Sequence, residues 1–83
     1  MTRIRLFAAA RHAIGQAEFT LGDLGLGSPT TVEAVVESLT DRVPDARRVI
    51  EGCSVLVDGE RRGHDGRIEA AETVDFLPPF AGG

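Results

Sequence analysis

With 83 residues the chain is long enough for one domain, which on folding buries only about 60 to 65% of its unfolded surface. A formal charge of −4 and a pI near 5.0 exclude a nucleic-acid backbone or an anionic membrane as the main partner, because both reward clustered positive charge. All nine basic residues are Arg, so P-loop, Schiff-base and general-base lysine chemistry is excluded, and an activated C-terminus finds no ε-amine on its own or a sister copy.

The start of the chain, Met1 to Ala10, has one apolar run of five residues before Arg11. That is too short for the apolar region of a signal peptide, and no segment approaches the ~18 apolar residues of a membrane span. Cys53 is the single cysteine and has no partner for an internal disulfide, so a reducing compartment, the cytoplasm, is expected.

Ile4, Leu6 and Ala8 alternate with Arg3, Arg5 and Phe7, the period-two pattern of a strand with one buried face. Residues 9–14 read as a helical turn closed by Gly15, and residues 18–21 as a second strand. Gly22, Gly25, Gly27, Ser28 and Pro29 then mark a loop. Its glycines are spaced G-x-x-G-x-G rather than G-x-G-x-x-G, without the combination of strand and later acidic residue that a dinucleotide site needs, so it reads as a turn.

Thr30-Thr31-Val32-Glu33 reads as a capping box, with Thr30 as N-cap and Glu33 at the third helical position. Val32, Val35, Val36, Leu39 and Val43 follow at helical spacing, and Pro44 ends the helix. Residues 45–50 suggest a short helical turn with Val49 and Ile50 inward. Residues 53–57 read as a strand, Asp58-Gly59 as a type I′ hairpin turn, and Glu60 to Arg62 as the short return strand. Gly63 to Gly66 form a loop, Ile68 is a core plug, and residues 73–77 are the last strand, with Val74 and Phe76 on one face and Asp75 and Leu77 on the other. The element order predicts a two-layer α+β sandwich.

Few residues carry side-chain chemistry. Cys53 opens an apolar strand with no His or Lys nearby to activate it, so it reads as packing. His12 and His64 lie far apart without a carboxylate or thiol cluster, and no metal site is predicted. Phe7 and Leu77 fall on the sheet face that one helix leaves uncovered, with Phe80 beyond them, which suggests a docking patch ahead of ordinary packing.

The chemistry concentrates in the ending Pro78-Pro79-Phe80-Ala81-Gly82-Gly83. Pro78 and Pro79 lack N–H donors and fix φ, so they stop the strand before them and launch a stiff extended segment. Gly82 and Gly83 have no Cβ and can pass a narrow channel, presenting the Gly83 carboxylate deep inside another protein. Chain ends ordinarily fray, and a diglycine alone is a weak signal. Joined directly to a strand through two prolines, it becomes a strong one.

Ile4-Arg5-Leu6-Phe7-Ala8, the Thr31-Val32 helix onset, the Val57-Asp58-Gly59-Glu60 hairpin and the Pro-Pro-x-x-Gly-Gly ending together resemble the small, MoaD-like subunit of molybdopterin synthase, in the ThiS/MoaD family of ubiquitin-like sulfur carriers. The resemblance covers nearly the whole chain. It implies a β-grasp body over residues 1–77 with first and last strands parallel at the sheet centre, a mixed sheet of four to five strands with one main helix on one face, and an extended tail over 78–83.

The same resemblance implies a function. An E1-like partner uses ATP to adenylate the Gly83 carboxylate, a sulfur donor enzyme converts it to a thiocarboxylate, and the large subunit of molybdopterin synthase consumes it in making the dithiolene. No cofactor is bound by the chain itself. Pro78, Pro79, Phe80, Ala81 and Gly82 insert with the tail, while Phe7, Arg11, Leu77 and Phe80 match partner-interface positions; Arg11 reads equally well as a solvated residue. The alternatives are a carrier for thiamin or cysteine biosynthesis and a non-catalytic ubiquitin-like modifier or interaction module. Two departures stand out: Asp58 replaces the usual Asn of the hairpin, and Arg67 to Glu72 lacks the common Asp-Gly-Asp.

Overall fold

Strand β1 (Arg3–Leu6) turns Ile4 and Leu6 into the core and leaves Arg3 and Arg5 on the other side, as the alternation requires. The computed structural model describes residues 1–79. Phe7 continues β1 in an extended conformation and is the N-cap of α1 (Ala8–Ile14). Gly15 closes that helix at φ +88°, donating its N–H to the Arg11 carbonyl.

Strand β2 (Glu18–Thr20) runs back along β1 and stops one residue earlier than expected. Leu21 already has helical φ/ψ, leading into a 3₁₀ turn at Gly22–Leu24. The turn is fixed reciprocally: the Asp23 N–H donates to Thr20 Oγ1 (3.0 Å), and Asp23 Oδ2 accepts from the Thr20 N–H (2.9 Å). A capping box therefore exists in this chain, at Thr20 and Asp23.

The box expected at Thr30 and Glu33 does not form. Thr30 and Thr31 make strand β3 (Thr30–Thr31), which pairs antiparallel with β6 (Arg67–Ile68) and holds Thr30 extended in a ladder. Helix α2 (Val32–Arg42) consequently starts one residue later, with Thr31 as N-cap and its Oγ1 accepting from the Ala34 N–H at 3.1 Å. The N–H groups of Val32 and Glu33 donate to the carbonyls of Gly66 (2.9 Å) and His64 (2.8 Å), so the 63–66 loop supplies the acceptors that a first turn lacks.

Val32, Val35, Val36 and Leu39 form the buried stripe of α2, as the spacing predicts. Val43 does not join it and is half-buried. Pro44 disfavours the α conformation in the residue before it, and Val43 sits at φ −135°, ψ 86° as the C-cap. A 3₁₀ turn (Pro44–Ala46) leads to α3 (Arg47–Glu51), where Ile50 is fully buried and Val49 only half-buried.

Strand β4 (Ser54–Val57) begins after Cys53 rather than with it, and turns back into β5 (Glu60–Arg62). Asp58 (φ +50°) and Gly59 (φ +83°) both occupy the left-handed region, the requirement of a type I′ turn. Strand β7 (Thr73–Leu77) completes a five-stranded sheet in the order β2-β1-β7-β4-β5, with β1 and β7 parallel at its centre and the other pairs antiparallel. Ile4, Leu6, Val55, Val57, Val74 and Phe76 line its inner face, against α2 and Ile50. This is the expected β-grasp, with the two short helices α1 and α3 and the separate β3–β6 ribbon added to the one main helix.

Candidate functional site

The tail leaves from the middle of the sheet. At the end of β7, Phe76 pairs with Leu6 of β1 and accepts the Phe7 N–H (3.0 Å), while Leu77 pairs with Ser54 of β4. Pro78 and Pro79 follow at once, both exposed; with no N–H to donate, they prevent either ladder from continuing. Phe80, Ala81, Gly82 and Gly83 lie outside the described residues.

The two sheet faces differ. Helices cover one, and the other carries the side chains that alternate away from the core: Arg3, Arg5 and Phe7 of β1 and its extension, Thr73, Asp75 and Leu77 of β7, and Leu56 of β4. Phe7 and Leu77 therefore share the uncovered face at the end where the tail departs, as the sequence suggested. Phe7 is 39% exposed and, apart from Met1, is the only strongly exposed large apolar side chain among the described residues. Arg11 is exposed on α1, and its side chain makes no hydrogen bond or ion pair with a described residue.

The sequence reading missed the polar centre of this face. Arg5 Nε and Nη2 donate to Asp75 Oδ1 (2.6 Å) and Oδ2 (2.8 Å) in a bidentate fork, and Asp75 is 8% exposed. The hydrogen bond and charge of Asp75 hold the Arg5 guanidinium protonated even more firmly than usual. The Arg5 guanidinium carbon also lies 5.9 Å from the Phe7 ring centroid. The only sequence signal was that Arg5 and Asp75 occupy outward positions of the first and last strands. They meet because those strands pair in parallel with Arg5 opposite Asp75.

Around the base of the tail, Cys53, Ser54, Arg62, His64 and Pro79 border a shallow groove of about 610 Å³. Cys53 is half-buried, its Sγ donates to the Val49 carbonyl (3.2 Å), and burial pushes its thiol pKa up, so it is a poor nucleophile. His12 and His64 are not brought together with other ligands: among the described residues no group of three His, Cys, Asp or Glu side chains is placed to hold a metal. No helix of the described residues is long and apolar enough to cross a membrane.

Comparison with known proteins agrees with this geometry. Solved structures with the same fold include SAMP1 from Haloferax volcanii (18% identity, TM-score 0.70, covering 99% of this chain and 98% of that one). They also include a Pyrococcus furiosus protein provisionally described as molybdopterin converting factor, subunit 1 (19% identity, TM-score 0.72, covering 95% and 97%). The small archaeal modifier protein SAMP1 from Methanosarcina acetivorans is 26% identical, with a TM-score of 0.71 and coverage of 99% and 95%. No curated protein sequence matches significantly. The model of the ThiS family matches residues 4–83 and therefore nearly every element described above. The chain belongs to the ThiS family, as a small ubiquitin-fold protein of the sulfur-carrier or modifier type.

Proposed function

We propose that the chain is a sulfur carrier whose Gly83 carboxylate is the working group. The observation that carries this reading is the exposed Pro78-Pro79 launch from the central strand of a β-grasp body, directly ahead of Phe80-Ala81-Gly82-Gly83. A carboxylate resists nucleophiles. An E1-like enzyme joins it to the α-phosphate of ATP with loss of pyrophosphate, and hydrosulfide delivered by a donor enzyme then attacks the carbonyl carbon, expels AMP and gives up its proton. The thiocarboxylate so formed carries sulfur as a nucleophile in place of oxygen. ATP belongs to the activating partner, and this chain binds no cofactor of its own.

The acceptor on this reading is the large subunit of molybdopterin synthase, which takes the tail and builds the dithiolene of molybdopterin. The double proline before x-x-Gly-Gly supports that assignment over carriers for thiamin or cysteine. Phe7, Arg11, Leu77 and Phe80 meet the partner, and Pro78 to Gly82 enter its active site. All of this takes place in a reducing compartment, the cytoplasm.

A modifier role is the second reading, favoured by the likeness to two SAMP1 structures. Removing Gly83 tests the common core of both. The truncated protein is expected to keep the circular dichroism and melting curve of the parent and to lose all activation by the E1-like enzyme. Undiminished synthase activity with the truncated chain would contradict the proposal, and isopeptide adducts on other proteins would select the modifier reading.

A further inference from the structure

We infer that the uncovered sheet face selects an acidic docking surface on the activating enzyme, with Arg5, held in place by Asp75, as its recognition group. The inference rests on the activation step proposed above, which the carrier and modifier readings share.

One row of side chains crosses all five strands in register: Glu18, Arg5, Asp75, Leu56 and Arg61, on β2, β1, β7, β4 and β5. Beside it, toward the tail, lie Phe7, Leu77 and Ser54. Arg5 is fixed on two sides, by the Asp75 fork and by the Phe7 ring. Fixing it beforehand removes much of the side-chain entropy that an arginine loses on binding.

The fork uses Nε and Nη2, and Nη1 has no hydrogen bond to any described residue. The Arg5 side chain is 37% exposed, on the same face as apolar Phe7 and Leu77. A partner that covers this patch must supply an acceptor or leave charged donors buried and unpaired. A planar guanidinium is matched best by a carboxylate.

The charge distribution selects the same chemistry. This face carries Arg3, Arg5 and Arg61 against Glu18 and Asp75, a balance of 3 − 2 = +1, on a chain of net −4. The rest of the molecule therefore carries −5. An acidic partner is drawn to this face and repelled by the others, which orients the encounter with the tail leading.

The experiment uses the full-length chain and the purified E1-like adenylylating enzyme of the same organism, reading ATP–pyrophosphate exchange as carrier concentration is varied. Arg5→Gln is expected to raise KM for the carrier by about tenfold with kcat nearly unchanged. The double variant Arg5→Leu/Asp75→Leu replaces the pair by apolar groups of similar size and leaves the face at +1; it should raise KM similarly while keeping the salt dependence of the parent, which Arg5→Gln flattens. Native circular dichroism qualifies each variant. A KM within twofold of the parent for both folded variants, or an unchanged salt dependence in Arg5→Gln, overturns the inference. Failure of the parent itself to support exchange would instead overturn the activation step.

Discussion

Asp58 has two roles at the hairpin. Its Oδ1 accepts the N–H groups of Glu72 (2.8 Å) and Thr73 (3.0 Å), and its own N–H donates to the Thr73 carbonyl (2.9 Å), which ties the β4–β5 turn to the start of the central strand β7. It does so from φ +50°, a conformation that Asp and Asn tolerate better than other side chains. An amide oxygen accepts the same two bonds, so Asp58 in place of the usual Asn is a neutral exchange here. Asp58→Asn is expected to leave the urea midpoint almost unchanged. Asp58→Ala should cost about 2 kcal/mol, since it removes the acceptor for two backbone donors and adds strain at positive φ. A fall of less than a few tenths of a kcal/mol in the alanine variant would show that other groups satisfy those donors. The sequence identified the turn at Asp58-Gly59 because both residues suit a type I′ conformation; nothing in it told that the carboxylate reaches residues fourteen and fifteen positions later.

At the scale of elements, strand β2 is the exposed edge next to β1, yet two of its outward groups are already occupied. Gln16 Nε2 donates to the Glu18 carbonyl (2.7 Å), and Asp23 Oδ2 accepts from the Thr20 N–H (2.9 Å). Side chains from both flanking turns thus fill ladder positions that another strand would use, a common need at sheet edges. The double variant Gln16→Ala/Asp23→Ala is expected to self-associate through β2, giving a concentration-dependent increase in mass by light scattering. A strictly monomeric variant with native circular dichroism would show that the edge is protected by other means. Legibility followed element length. The eleven residues of α2 offer several turns of periodic Val and Leu, and that helix was readable nearly to its end. β3 and β6 have two residues each, too few for any period, and their pairing moved the N-cap from Thr30 to Thr31.

Across the whole molecule, the chain separates three tasks. The helix-covered face holds the core, the opposite face carries the Arg5–Asp75 pair among Phe7, Leu56 and Leu77, and the central strand releases the tail between β1 and β4. The core was legible because burial imposes alternation on each strand separately. The polar pair was not, because it depends on which strands become neighbours: Arg5 and Asp75 are seventy positions apart and meet only through parallel pairing of the first and last strands. The tail was legible for a different reason, since Pro and Gly act through backbone geometry that the residue type itself fixes.

The most direct test of this account is the intact mass of the full-length chain after incubation with ATP, its E1-like enzyme and a sulfur source. A mass gain equal to exchange of one oxygen for sulfur, mapped to Gly83 and absent without ATP, is the predicted result. An unchanged mass, in a mixture that activates another carrier, would contradict sulfur carriage by this chain.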